Sequence, residues 1–354
     1  MPTVFVRDDL RAATEALTGG RCTVLYTAQN APSHFFVLPK FNIEDIDPAL
    51  GSGTHPAFIV NGAEVPRLFI GMYTGSVRNG ELLSLPGMVP ENLISIETAA
   101  ANARNCGAGF HLMTNAEWAA MALWCHANGW LPGGNSEWGK NQFAGHETGV
   151  RVDGGVPGSL TGDGRTLTGS GPNSWRHNNA PNGVSDLAGN LSEWVAGIRL
   201  VEGELQVLPN NDAAAVTETF PSLAAWKAVN FSTGALVSPG TAGTTKASAL
   251  TPANGADWAW AATIANTLSG EDYCQMAFSG IPLTGPAILK TLALAPPSET
   301  PLSPMGDTRV RNFGTRYMSR GDRYAQTGAG IFALGAIEAY GITRSFIGAR
   351  VAKY

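Results

Sequence analysis

A mixed α/β fold, built from short strands and short helices joined by long irregular segments, is what this sequence predicts. Three observations carry that prediction. The 354 residues include 43 glycines and 22 prolines, which break long helices and require many turns. The runs rich in β-branched and aromatic residues are short and bounded by turn signals. Two further stretches have the length and end signals of short helices. Apolar residues make up 44% of the chain and nine are Trp, which rules out wholesale disorder. A chain of this length forms one large domain or two smaller ones and hides roughly three quarters of its extended surface.

Residues 1–48 read as a small N-terminal unit or a docking arm. Within it a helix is expected over 7–17 after Val4-Phe5-Val6, then strands at 22–26 and 35–38. A larger domain occupies 49–354. Strands are expected at 57–60 and 68–73, joined through the Asn61-Gly62 turn signal. A helix follows at 96–105, with Gly107 near its end. The next helix is the best marked: Thr114 is an N-cap and Glu117, three residues on, completes a capping box. Trp118, Met121, Ala122 and Cys125 recur on one face of it, and Asn128-Gly129 closes it. Residues 151–174 hold seven glycines and are expected to be a surface excursion rather than a packed element. A strand is expected over 189–195, continuing through 197–208 with a turn at Glu202-Gly203. A helix at 223–229 is expected after Ser222. Residues 234–256 and 295–304 are loops by composition, so 151–174 and 198–305 read as inserts. No fixed-period repeat is present.

The charge balance excludes some functions. The chain has 23 basic and 28 acidic residues, a net charge of −5, and no basic block, which argues against a nucleic-acid partner. No apolar run is long enough for membrane insertion, and no conventional signal peptide is visible at the N-terminus. The four cysteines, Cys22, Cys106, Cys125 and Cys274, lack metal-like or redox-like spacing; they read as buried thiols, with a Cys106–Cys125 disulfide as the alternative. There is no Gly-x-Ser-x-Gly elbow, no phosphate-binding loop, and no acidic pair that stands out as a glycosidase-like acid and base.

Three segments carry a family resemblance: Phe110 to Trp118; Gly183 to Trp194, with its Gly189-Asn190-Leu191-Ser192-Glu193-Trp194 core; and the tail from Arg309 to Tyr354. Together they resemble the formylglycine-generating-enzyme (sulfatase-modifying factor) type of C-type lectin fold. The stretch from Trp194 to Ala213 is more similar to the variable proteins of diversity-generating retroelements, which are ligand-display proteins, often of phage or bacterial surfaces. The resemblance implies an α/β (α+β) C-type lectin fold with small antiparallel sheets, two main helices, long inserts and much irregular structure. Trp118, Trp124 and Trp194 would be core anchors. The protein would sit on a phage particle or cell surface, reached by another route than a signal peptide, or otherwise in the cytoplasm.

The enzymes of that fold type imply chemistry that can be sought residue by residue. Oxidative formylglycine generation looks to a pair of nearby thiolates for a cuprous ion, yet 309–354 contains no cysteine and Cys274 stands alone before it. An iron site needs clustered histidines; His34, His55, His111, His126, His146 and His177 are not paired in sequence. His111 reads as a structural residue, and His146 and His177 as surface contacts. No catalytic residue is therefore expected, and no cofactor for catalysis. The resemblance also implies a structural calcium held by Asp186, the carbonyls of Gly189 and Leu191, and Glu193; the alternative is a tight turn in which Asp186 and Asn190 cap backbone amides.

In the variable proteins it resembles, the C-terminal segment carries diversified, outward-facing residues. Carried over, 309–352 is the ligand-binding segment. The expected exposed contributors are Asn312, Arg316, Tyr317, Ser319, Asp322, Tyr324, Tyr340 and Ser345. Val310, Phe313, Ile347 and Val351 are expected in the core, with Arg350 as a structural charge. The expected partner is a protein or cell-surface ligand. The alternatives are an oxidative enzyme of the formylglycine-generating type with a rebuilt site, and a fixed phage or bacterial adhesin without diversification.

Overall fold

The computed structural model describes residues 8–217, 220–222 and 224–354. Val4-Phe5-Val6, Arg7 and Leu223, which figure in two of the expected helices, lie outside them. The chain is mixed α/β, with few helices and mostly antiparallel strand pairs.

A five-stranded antiparallel sheet runs in the spatial order Cys22–Tyr26, Pro32–Pro39, Arg67–Gly71, Val351–Lys353, Phe110–Leu112. The chain's last strand therefore lies between two strands from its first third, and Pro32–Pro39 shares a sheet with it. A second, larger sheet is organised on the long strand Ser192–Val201. On one side Glu204–Val207 returns antiparallel through the Glu202-Gly203 turn, where both residues take positive φ. On the other side lie Thr315–Arg320, Leu334–Ala336, Asp307–Val310 and Cys274–Ala277, in that order. Ile347–Ala349 adds a parallel pairing to the start of the long strand.

The helix signals are met locally. In Asn115–Ala127 the Thr114 hydroxyl accepts the Glu117 amide at 3.1 Å and Glu117 accepts the Thr114 amide at 2.9 Å. The same Glu117 carboxylate meets His111 Nε2 at 2.8 Å and accepts from Asn211 at 3.0 Å, so the cap also ties strand to helix. Ile96–Asn105 starts at Ser95, whose hydroxyl accepts the Thr98 amide. Trp118 donates to the Ile331 carbonyl at 2.7 Å and Trp194 to that of Ile94 at 2.9 Å. Both are buried, each in a different core cluster, while Trp124 is only partly covered.

Several expectations are corrected. The segment 57–60 is only half strand: His55 caps a 3-10 turn over Pro56–Phe58, and the Asn61-Gly62 turn closes a small hairpin from Ile59–Val60 to Ala63–Glu64. Arg67–Gly71 belongs to the five-stranded sheet instead. The expected helix at 223–229 is replaced by the strand Lys227–Val229, paired with Glu204–Val207; long-range pairing overrides local propensity here. Residues 151–174 carry exposed side chains such as Val156 and Leu160, as a surface excursion does, and are held internally. Arg151, buried, donates to Asp153 and to the carbonyls of Val156, Ser159 and Thr161, so the loop is wound around one guanidinium. Strands within 198–305 join the large sheet.

All four cysteines are buried free thiols, so Cys106 and Cys125 do not pair. Burial pushes the Cys106 thiol up to about 12 and that of Cys22 to about 11, which leaves both protonated and unreactive.

Candidate functional site

The C-terminal strands have two unlike faces, because successive side chains alternate. Thr308, Val310, Met318, Leu334 and Ala336 point into the core. Arg320 does too, fully buried, with its guanidinium on the Asn115 side-chain oxygen at 2.7 and 3.0 Å. The odd-numbered residues form the opposite face. Gln275, Arg309, Gly335 and Ser319 stand in one transverse row across four strands. That row is part of a pocket of about 210 Å³ whose walls include Asp307, Tyr317, Asp322, Arg323, Glu338 and Phe346.

Gly335 sets the depth of this pocket. A Cβ there would lie 2.8 Å from Ser319 Oγ, so a side chain at 335 would displace Ser319. Around the row, charges are mostly paired. Arg309 bridges Asp322 at 2.6 Å and donates to Gln326 at 2.9 Å. Glu338 and Arg344 form a two-pronged pair at 2.7 and 2.8 Å. Arg323 stacks on Phe346, its guanidinium carbon 3.9 Å from the ring centroid; burial lowers its pKa from the ordinary arginine value.

The expected contributors divide into four groups. Tyr317, Ser319 and Asp322 line the pocket, but none is openly exposed. Tyr317 is 1% exposed and packs on Tyr340, ring centroids 5.4 Å apart. Arg316, Tyr324 and Tyr340 are partly covered, and Tyr324 stands edge-on to Trp138 at 5.2 Å. Ser345 is exposed. Asn312 is a correction: at 2% exposure it accepts from Leu268 and donates to Asn266, which pins residues 266–268 to the tail.

Sequence reasoning missed Gln275, Asp307, Gly335 and the special position of Arg323 as pocket residues. Period-two alternation through Arg309 would have found Asp307. Gln275 carries no local signal, because strand pairing alone brings it there.

The calcium expectation does not fit this arrangement. Both oxygens of Glu193 are committed to Arg350, at 2.6 and 2.9 Å, and one also accepts from Thr74. A guanidinium thus holds the charge that a cation would need. Asp186 accepts the Gly169 amide and the Ser185 hydroxyl, closer to the tight-turn alternative, and its left-handed φ of 60° fits that. Burial raises the pKa of both carboxyls, offset in part by Arg350. Among the described residues no three His, Cys, Asp or Glu side chains converge on a metal-holding position.

The histidines are dispersed. His146 is exposed. His177 is a second correction: it is buried, accepts the Val184 amide at 2.7 Å, and lies between Phe36 and Trp124. Burial lowers its pKa to about 3.

No protein-family model matches the chain, and no curated protein matches it. Among solved structures the chain is similar to Treponema denticola variable protein 1, at 12% identity and a TM-score of 0.33, over 94% of this chain and 98% of that chain. No helix among the described residues is long and apolar enough to cross a membrane.

Proposed function

We propose that this chain is a non-catalytic ligand-binding protein of the C-type lectin fold type, whose C-terminal segment forms the binding face and is diversified by a retroelement. The observation that supports this most is the division of labour on the C-terminal strands. One face packs the core through Val310, Met318 and Leu334, while the other lines a pocket through Arg309, Ser319 and Arg323. Changing the second face leaves the first in place, which is what a scaffold with exchangeable contacts requires.

Tyr, Arg and Phe on that face suit recognition, since they give contact area with directional donors. The partner in this reading is a protein or cell-surface molecule, and the stretch from Trp194 to Ala213 carries the resemblance to the variable proteins.

Sequencing the gene and its flanks across sibling isolates tests the diversification. The expected result is a nearby near-copy of the segment encoding 309–354, with differences confined to template adenines and to positions lining the pocket. A constant tail without a template copy would refute diversification and leave the fixed adhesin. Binding is tested separately: a partner selected on the protein should be lost on Gly335→Leu, a substitution that fills the pocket floor.

A further inference from the structure

The pocket contains two charges that its own structure leaves uncommitted. Arg309 is neutralised by Asp322, and Glu338 by Arg344. Among the described residues, Arg323 has no carboxylate within ion-pair distance, and its guanidinium donates no hydrogen bond; its only close partner is the Phe346 ring. Arg151, Arg165, Arg311 and Arg350, by contrast, are all ion-paired. Arg320 is unpaired but satisfied by Asn115 and backbone carbonyls. Asp307 is the other uncommitted group: among the described residues it has no cation within ion-pair distance, and its carboxylate accepts only from Gln275, at 3.3 Å.

Building on the binding-face reading above, we propose that this pocket binds a small group bearing a carboxylate, which pairs with Arg323, and an N–H donor, which reaches Asp307. A guanidinium stacked through its face on Phe346 keeps its N–H edge for a planar, two-oxygen partner. A phosphate is the poorer match. One free cation among Asp307, Asp322 and Glu338 does not balance a dianion. The volume of about 210 Å³ equals roughly seven water molecules, which suits a group the size of one amino-acid residue. Ala333, Ile337 and Ile347 give it an apolar wall.

Two sources share this chemistry: a free N-acylated amino acid and the C-terminal residue of a peptide chain. The test is an NMR titration of the full chain with the twenty N-acetyl amino acids and their C-terminal amides. Hexapeptides ending in the best residue follow, with free or amidated termini. At least one acid should bind, and about ten-fold or more tightly than its amide, the margin of one charge-assisted pair. Arg323→Gln should remove that margin; Arg323→Lys should restore part of it. Peptides matching the small acid in affinity identify a chain terminus, and small acids binding alone identify a free ligand; either result supports the proposal. Amides binding as well as acids, acid binding that survives Arg323→Gln, or no binding across the whole acid series would overturn it. The broader reading is distinguished by the selected partner. If that partner is lost on Gly335→Leu while no acid binds, the carboxylate proposal alone fails. If Gly335→Leu leaves partner binding unchanged in a folded protein, the site itself is wrong.

Discussion

The buried knot around Arg350 and the open pocket around Arg323 use the same chemistry to opposite ends. In the knot, Arg350 is fully buried and donates to both oxygens of Glu193, to the Gly71 and Ser185 carbonyls, and to Thr74. Each of its three nitrogens has a protein partner, and the knot joins the last strand to Arg67–Gly71, the central strand of the five-stranded sheet, and to the start of the long strand. In the pocket, Arg323 has a ring beneath it and, among the described residues, no acceptor. The difference teaches how to separate folding residues from binding residues: a satisfied buried charge fixes the chain, and an unsatisfied half-buried one awaits something else.

The comparison is broken most severely from the knot side. Arg350→Met should leave Glu193 buried without its partner and lower unfolding free energy by about 3–5 kcal/mol, seen as a lower urea midpoint. A midpoint within experimental error of the parent would show that the knot does not hold the fold. Trp194→Ala should cost about 3–5 kcal/mol through the cavity it leaves and the lost bond to Ile94, read in the same way.

An intermediate effect is expected from the buried histidines. Burial lowers His177 to about 3 and His55 to about 4, against a free imidazole near 6.5. The unfolded chain therefore takes up these protons first as pH falls. Stability is full above about pH 6.5 and declines as pH drops toward 4, by on the order of 2 kcal/mol per histidine at pH 5. Asp186 and Glu193, whose carboxyls burial raises, act in the opposite sense, because the folded chain takes up their protons first as pH falls through the raised values. Melting curves at pH 7 and 5 check this: His177→Asn should narrow the difference between them, and an unchanged difference would remove His177 from the account.

The smallest stability effect belongs to the pocket. Arg323→Gln should shift unfolding free energy by no more than about 0.5 kcal/mol, the range of substitutions outside the core and its networks. A loss of several kcal/mol would mean that the stack on Phe346 is a folding contact.

How far these regions could be read from sequence depended on how local their causes are. The helices at Ile96–Asn105 and Asn115–Ala127 were legible because Ser95, Thr114 and Glu117 act within one turn. Lys227–Val229 was not, since its strand state depends on Glu204–Val207. In the tail, which side chains are buried was not legible residue by residue. Tyr and Asn at 317 and 312 look like contact residues by type, yet Tyr340 covers the first and residues 266–268 hold the second. Arg323 and Phe346 become a pair only because the tail folds back on itself.

The central claim is that the two faces of the C-terminal strands serve different ends. A saturation scan of residues 307–347, read by resistance of the folded protein to protease, tests it most directly. The account predicts that substitutions at Thr308, Val310, Met318, Arg320, Leu334 and Ala336 abolish resistance, while those at Asp307, Ser319, Arg323 and Gln326 are tolerated broadly. Equal sensitivity on both faces would contradict it.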